Sequence, residues 1–287
     1  MGKKAIVIGS GFAGLSAASF LAKAGWEVEV LEKHDQPGGR CRHFKTEGFS
    51  FDMGPSWYWM PDVFDRFFGC FGKKVSDYYD LIRLEPSYRI YWEQNKMDVP
   101  SDYAALKKMF DQLEPGAGEQ LDAFMAEAEY KYRVGVNKLV FKPGQSLLEF
   151  LDKELIAGLF RLDVFNDIKS HIGKFFKHPQ LRQMMEFPVL FLGALPENTP
   201  ALYSLMNYAD VKLGTWFPRG GMYKIVEGMH KLAVEQGATF HFNHNVSSII
   251  VENGIAKTVV ADNGKQFHAD VVIGGADYHF IETKLLP

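Results

Sequence analysis

KAIVIGSGFAGLSAASFLAKAGWEVEVLE, residues 4–32, is the stretch that decides the fold. Its first part, Lys4 to Gly9, predicts a strand, and Ala5 to Ile8 form a continuous apolar run of the kind that is buried on both faces of a parallel sheet. Apolar residues then recur at helical spacing until Gly25 ends the helix. Trp26 to Leu31 predicts a second strand. A strand, a helix and a strand in this order predict a βαβ unit within an α/β fold.

The loop between the first strand and the helix has the pattern GxGxxG. Gly9 permits the tight turn, Gly11 lets a pyrophosphate approach the backbone, and Gly14 lets the helix pack closely on the strand. The helix start adds free N–H groups and a positive dipole end. Glu32, at the end of the second strand, can accept hydrogen bonds from ribose hydroxyls and would repel the 2′-phosphate of NADP. The predicted pyrophosphate-binding residues are Gly9, Gly11, Phe12, Ala13 and Gly14.

The segment after the second strand narrows the choice of dinucleotide. It reads EKHDQPGGR over residues 32–40. It resembles the segment that follows the second strand in glutathione-reductase-like flavoproteins, in the branch with amine oxidases, protoporphyrinogen oxidases and carotenoid desaturases. The resemblance implies FAD, with the glycines close to its pyrophosphate and the arginine as a charge-assisted donor. The site residues implied here are Lys33, Gly38, Gly39 and Arg40.

Three further stretches carry the same resemblance. GFSFDMGPS, residues 48–56, continues to Met60-Pro61 and looks like the "FDxGPT…MP" stretch of bacterial phytoene desaturases, with Ser56 in place of the commoner threonine. The resemblance places Gly54, Pro55 and Ser56 beside the flavin. FPRGGM, residues 217–222, resembles their "YPxGGM". NHNV, residues 243–246, matches "N-x-x-V", in which the backbone of Val246 would contact the adenine; by spacing alone, Val246 is equally an ordinary strand residue.

The C-terminal part predicts a meander that returns to the sheet. Asn253-Gly254 is a strong hairpin signal, and DVVIGGAD, residues 270–277, resembles the family's "ADxVVxNAD". We therefore expect an α/β fold: a Rossmann-like three-layer FAD-binding domain from residues 1–100 and 216–287, with an inserted, mainly helical substrate domain from residues 101–215. The Gly- and Pro-rich second FAD motif of the family is absent from the 287 residues. We expect either a fragment or a shortened relative.

Composition excludes several other functions. The formal net charge is −3, so no general attraction to nucleic acid is expected. The two cysteines, Cys41 and Cys70, form no CxxC pattern, which favours a reduced, cytoplasmic setting. No apolar run reaches the roughly 18 residues that a membrane span needs. His241 and His244 are expected on opposite faces of a strand, so no metal site is predicted.

The middle of the chain predicts helices and an apolar environment. Residues 101–109 and 119–132 have helical periodicity, and the resemblance implies that a helical cap covers an apolar substrate channel. Between Phe160 and Phe176, apolar residues alternate with Arg161, Lys169, Lys174 and Lys177. Two interpretations stand: a helix packed inside the substrate domain with a solvated basic face, or an amphipathic helix on the inner face of an anionic membrane.

The resemblance implies dehydrogenation of a long apolar carotenoid precursor such as phytoene, with oxygen or a quinone as the electron acceptor. One alternative is another carotenoid reaction, such as 3,4-desaturation, isomerisation, ketone-forming oxidation or saturation. A second is an enzyme like the amine or protoporphyrinogen oxidases. A third is a nucleotide-binding or partner-binding module without redox activity. The sequence identifies no catalytic acid or base.

Overall fold

The computed structural model describes residues 2–142, 145–146 and 162–287. Its strands are β1 (Lys4–Ile8), β2 (Glu27–Leu31), β3 (His43–Thr46), β4 (Phe49–Asp52), β5 (Leu81–Arg83), β6 (Tyr88–Tyr91), β7 (Lys96–Val99), β8 (Trp216–Pro218), β9 (Thr239–His241), β10 (Val246–Glu252), β11 (Ile255–Ala261), β12 (Gln266–His268) and β13 (Val271–Gly274). Its helices are α1 (Phe12–Lys23), α2 (Pro61–Gly69), α3 (Tyr103–Leu113), α4 (Ala117–Val134), α5 (Ile168–Phe175), α6 (Pro179–Glu186), α7 (Leu205–Val211), α8 (Tyr223–Glu235) and the short α9 (Tyr278–Phe280).

A parallel sheet in the order β13-β1-β2-β9 forms the centre of the first compact unit. In its register Val7 lies beside Val30 on one side and beside Ile273 on the other. The sequence prediction that residues 270–277 return to the nucleotide-binding sheet is therefore confirmed. Because β1 is central and buried on both faces, it needs the continuous apolar run that the sequence shows.

Two layers cover this sheet on opposite faces. On one face, Val7, Val28 and Val30 pack with Ala18 of α1 and Ala233 of α8. On the other face, the alternate residues of the sheet pack on the antiparallel sheet β10-β11-β12, through a cluster that includes Ile6, Ile8, Leu31, Ile249, Val259 and Phe267. Each fully buried aliphatic side chain stabilises the fold by about 1.5–3 kcal/mol. The predicted three-layer α/β architecture is confirmed.

The β10–β11 hairpin forms at the predicted Asn-Gly pair. Asn253 and Gly254 both have positive φ, 53° and 76°, as a type I′ turn requires. Ile255 pairs with Glu252 directly across this turn. The turn sets the pairing of Val251 with Ala256, and a register shift between Val251 and Ile250 then places Ile249 opposite Val259. Both of these side chains are buried in the core.

The second compact unit is mainly helical. Its core includes Phe110, Leu121, Phe124, Ile172 and Phe176 from α3, α4 and the α5 region, all fully buried. Aspartates begin two of the helices: Asp102 accepts a hydrogen bond from the Ala105 N–H, and Asp167 accepts one from the Ser170 N–H, a common N-cap arrangement.

Of the two interpretations of residues 160–176, the packed helix agrees with the structure. The described helix, α5, buries Ile168 and Ile172 in the core and leaves Lys169 and Lys174 outside it. Phe160 and Arg161 lie outside the described residues. The apolar face is thus occupied by protein, so α5 offers no apolar stripe to a membrane. None of the helices in the described part of the chain is long and apolar enough to cross a bilayer.

The first compact unit comprises Met1–Tyr58, Asp62–Ile82 and Phe217–Pro287, and the second comprises Trp59–Pro61 and Arg83–Trp216. Compact units and functional domains are different divisions of a chain. The assignment of residues 1–100 and 216–287 to FAD binding therefore stays a prediction.

Candidate cofactor site

The buried carboxylate of Glu32 joins the end of β2 to the glycine loop. Its Oε2 accepts hydrogen bonds from the Ser10 N–H at 2.9 Å and from the Ser10 hydroxyl at 2.6 Å. Its Oε1 accepts one from the His34 N–H at 3.0 Å. A carboxylate has about four lone-pair sites, so three are already used. Glu32 first fixes the loop, and one acceptor position is left for a ribose hydroxyl.

The glycines of the loop are required for different reasons. Gly9 has φ +91°, and a Cβ on Gly14 would lie 1.9 Å from the Gly9 carbonyl oxygen, so both are fixed by the turn and by helix packing. Gly11 is different, because its φ of −72° suits any residue and a Cβ there would meet nothing within 4 Å. The protein itself therefore does not require glycine at this position. A bound pyrophosphate would require glycine there, because a side chain would occupy the space of the phosphate. The loop thus fits a dinucleotide.

The Gly38-Gly39 segment packs against this loop. The Gly38 N–H donates to the Ser10 carbonyl at 2.8 Å. A Cβ on Gly39 would lie 3.3 Å from the Cα of Gly11. Both glycines have positive φ. The structure therefore brings Gly39 of the EKHDQPGGR segment next to Gly11, and the contact of both with one phosphate stays a prediction.

Asp52 ties two other motif stretches together. Its carboxylate accepts hydrogen bonds from the N–H groups of Met222 and Tyr223, at 2.8 and 3.1 Å, at the start of α8. An acidic group there also complements the positive end of the helix dipole. A Cβ on Gly54 would lie 2.2 Å from the Arg40 carbonyl oxygen. The stretches at 32–40, 48–56 and 217–222 are thus in contact although up to 170 residues separate them.

The remaining predicted site residues do not form one cluster, because some are exposed and one is buried. Lys33, Arg40, Pro55 and Ser56 are exposed, while Val246 is buried in the core below the sheet. Among the described residues, the Arg40 guanidinium has no hydrogen-bond or ion-pair partner, which leaves it available to a phosphate. The cofactor contacts of all the predicted site residues stay predictions.

Two residues of this region were missed by the sequence reasoning. Ser10 lies inside the GxGxxG as a variable position, and Asp52 lies inside a quoted stretch without an assigned role. Neither contact is visible in a local pattern, because Ser10 meets Glu32 across 22 residues and Asp52 meets Met222 across 170. Burial of Cys41, and then the charge of nearby Asp52, raise the pKa of the Cys41 thiol to about 11.

The expectation that His241 and His244 point to opposite faces is wrong. The strand ends at His241, and Asn243 has φ 56°. The chain therefore turns, and the two imidazole rings lie 5.5 Å apart. His241 is 2.6 Å from a Glu29 carboxylate oxygen. No group of three metal-ligating side chains occurs in the part of the chain that the structure describes.

A parallel βαβ sheet, an open glycine loop at a helix N-terminus and an acid at the end of the second strand define a dinucleotide-binding protein of the Rossmann-like class. The chain belongs to the family of flavin containing amine oxidoreductases, whose pattern matches residues 12–285. The predicted FAD cofactor and the predicted family are confirmed by this membership.

The chain is similar in sequence to carotenoid enzymes. It is 41% identical to a carotenoid 3,4-desaturase of Haloarcula japonica over 100% of this chain and 58% of that protein. It is 33% identical to a zeta-carotene-forming phytoene desaturase of Myxococcus xanthus over 99% of this chain and 55% of that protein. The resemblance to carotenoid desaturases is confirmed, and the chain spans about half the length of these relatives.

A solved structure supports the fold. An oxidoreductase from Methanosarcina mazei superposes with a TM-score of 0.62 at 20% identity, covering 94% of this chain and 58% of that one.

Proposed function

We propose that this chain is the FAD-binding part of an enzyme that dehydrogenates a long apolar carotenoid precursor such as phytoene. The observation that carries the proposal is a chain of contacts: the glycine loop contacts residues 32–40, which contact residues 48–56, which in turn contact residues 217–222. The last three of these stretches carry the resemblance to carotenoid desaturases. The relatives support the same substrate class, because their names include carotenoid 3,4-desaturase and phytoene desaturase.

Different residues of the chain would bind different parts of FAD. The backbone N–H groups from Gly11 to Gly14 would face the pyrophosphate, Arg40 would add a cationic donor, and the free acceptor position of Glu32 would take a ribose hydroxyl. Bound FAD would supply the electron-accepting chemistry, and the protein would bind and orient the substrate. Oxygen or a quinone is the proposed electron acceptor.

The substrate suggests where the enzyme works. A precursor of this kind dissolves in lipid rather than in water, so we propose a peripheral association with the inner face of the membrane. Because α5 buries its apolar stripe, this association requires another surface. Flotation of the protein with anionic liposomes tests it, and a protein that stays at the bottom of the gradient contradicts it.

The test of the proposed function has two stages. Purified protein is first titrated with FAD, and shifted flavin absorption bands are expected. The loaded protein is then incubated with phytoene and, separately, with putrescine, and the flavin spectrum and products are followed. Bleaching by phytoene alone, with more strongly conjugated products, supports the proposal. Bleaching by the amine with peroxide release supports an amine oxidase instead, and stable FAD without any reduction supports a binding module.

A further inference from the structure

Four aromatic rings form a continuous row on the second compact unit. Trp59 and Phe191 lie 5.0 Å apart between ring centroids, Phe191 and Phe187 lie 5.3 Å apart, and Phe187 and Tyr88 lie 5.5 Å apart. We call Trp59, Phe191, Phe187 and Tyr88 the aromatic row. Phe191 remains 49% exposed, and its neighbour Leu190 is 58% exposed. Phe191 therefore keeps apolar surface of the row in contact with solvent, whereas Tyr88 packs against the core of the unit.

One buried carboxyl group fixes both ends of the aromatic row. The Tyr88 hydroxyl donates to Asp210 Oδ2 at 2.7 Å. The Thr215 hydroxyl donates to Asp210 Oδ1 at 3.0 Å, and the Trp59 indole N–H donates to Thr215 Oγ1 at 2.8 Å. Asp210 and Thr215 are themselves buried. A buried carboxyl is costly unless it is hydrogen-bonded, so these bonds lock the rings and the acid into one arrangement.

This arrangement gives the surface its chemical character. The polar atoms of the two terminal rings, the Tyr88 hydroxyl and the Trp59 N–H, are directed toward the Asp210–Thr215 pair. The exposed part of the row is thus apolar and aromatic. Rings about 5 Å apart suit an extended hydrocarbon chain, which gains by apolar burial and by contacts of its C–H groups and double bonds with the ring faces and edges.

We propose that the aromatic row binds the hydrocarbon chain of the carotenoid precursor, and that Asp210 is the positioning residue that holds the row through Tyr88 and Thr215. This inference rests on the proposed function and deepens it, because it assigns a substrate-contacting surface and its support. Phe191 and Trp59 touch the substrate, whereas Asp210 acts through other side chains.

The test measures phytoene binding to the full chain loaded with FAD. Phytoene is supplied in detergent micelles, and the quenching of Trp59 is taken as the emission difference between each protein and its Trp59→Phe counterpart. Thr215→Val removes the acceptor of the indole N–H with little change in volume, and we expect on the order of tenfold weaker binding. Thr215→Ser keeps the hydroxyl and should restore binding. Phe191→Ala, at an exposed ring, should weaken binding on the order of tenfold without a folding defect.

A matched control is available on the same unit. The Trp92 indole N–H donates to the Gln183 side-chain oxygen at 2.7 Å at an exposed position. Gln183→Leu removes an equivalent side-chain acceptor that bonds no ring of the aromatic row, and phytoene binding should not change. The polarisation of Trp59 emission, measured without substrate, should fall in Thr215→Val and stay at the wild-type value in Thr215→Ser and Gln183→Leu.

The outcomes separate the two proposals. A wild-type protein that holds FAD but does not bind phytoene contradicts the proposed function, and the inference falls with it. A wild-type protein that binds phytoene, together with Phe191→Ala and Thr215→Val proteins that bind it equally well, contradicts the inference alone. Equal weakening by Gln183→Leu and Thr215→Val also overturns it, because the effect would then be general to the unit.

Discussion

At the scale of single residues, Gly11 and Gly14 are glycine for different reasons: Gly11 leaves space for the ligand, and Gly14 is required by the fold. The Cβ of Gly11→Val would meet no protein atom within 4 Å, at a φ that valine accepts. We expect the protein without FAD to keep its melting temperature, while FAD affinity falls by a factor of about 100 or more because the pyrophosphate is displaced. Thermal unfolding without FAD and a flavin titration measure the two effects.

Gly14→Ala is the matched control for this experiment. Its Cβ would collide with the Gly9 carbonyl oxygen at 1.9 Å, so the helix must move away from β1. This variant should lose stability with or without FAD. If Gly11→Val and Gly14→Ala unfold alike, or if Gly11→Val retains FAD normally, the assignment of Gly11 to the pyrophosphate is wrong.

Glu32 is expected to contribute to stability as well as to FAD binding. Glu32→Ala leaves the buried Ser10 hydroxyl and two backbone N–H groups without their acceptor. Leaving buried donors unsatisfied costs about 1–3 kcal/mol, so urea denaturation without FAD should show a lower free energy of unfolding. Ser10→Ala removes a single bond and should cost about 1 kcal/mol. An unchanged stability in Glu32→Ala would mean that its role is confined to the ligand.

At the scale of elements, Asp52 shows how a strand end can organise a distant helix start. Asp52→Ala removes the acceptor of the Met222 and Tyr223 N–H groups. Loss of a cap of this kind costs about 1–2 kcal/mol, and the start of α8 should become more mobile. Faster hydrogen exchange at the N-terminal turn of α8 is the expected signal. Ser50→Ala, on the same strand, is the control, and equal exchange in both proteins would contradict the role of Asp52.

The sequence predicted those elements whose signals are local. The continuous apolar run of β1, the helical spacing of α1 and the Asn253-Gly254 turn each carry their own pattern, and all three form where expected. Contacts between distant stretches carry no such pattern. The turn that brings His241 toward His244 depends on the positive φ of Asn243, and the Asp52 contact depends on how hairpin and helix pack. The motif resemblance located the site, but its internal support required the structure.

At the scale of the whole molecule, two buried groups of the second unit give opposite pH dependences of stability. His171 is packed against Lys131 at 3.4 Å and Asp163 at 3.1 Å, with Glu127 at 3.5 Å. Burial, and then the charge of Lys131, lower the pKa of His171 from 6.5 to about 4. Burial raises the pKa of Asp210 to about 6, although its bonds to Tyr88 and Thr215 oppose the shift.

The sign of each effect follows from which state binds the proton. Between pH 6.5 and about 4 the unfolded chain protonates His171 and the folded chain does not, so stability is lost as the pH falls. Between about pH 6 and 3.8 the folded chain keeps a proton on Asp210 that the unfolded chain releases, so stability is gained as the pH falls. Each slope has a limit of about 1.4 kcal/mol per pH unit. The two contributions should nearly cancel between pH 6 and 4.

Replacing one of the two groups should therefore reveal the pH dependence of stability that the other group causes. Asp210→Asn keeps the size of the side chain but cannot titrate, so the free energy of unfolding should fall more steeply than in the wild type from pH 6 to 4.5. His171→Gln, which can still accept from Lys131, should remove the acid-side loss and leave a gain over the same range. Urea denaturation at several pH values measures both slopes, with His279→Gln, at an exposed histidine, as the control. Parallel curves for wild type and Asp210→Asn would show that Asp210 does not hold its proton in the folded chain. In that case the Asp210 carboxylate would carry its charge beneath the aromatic row throughout this pH range.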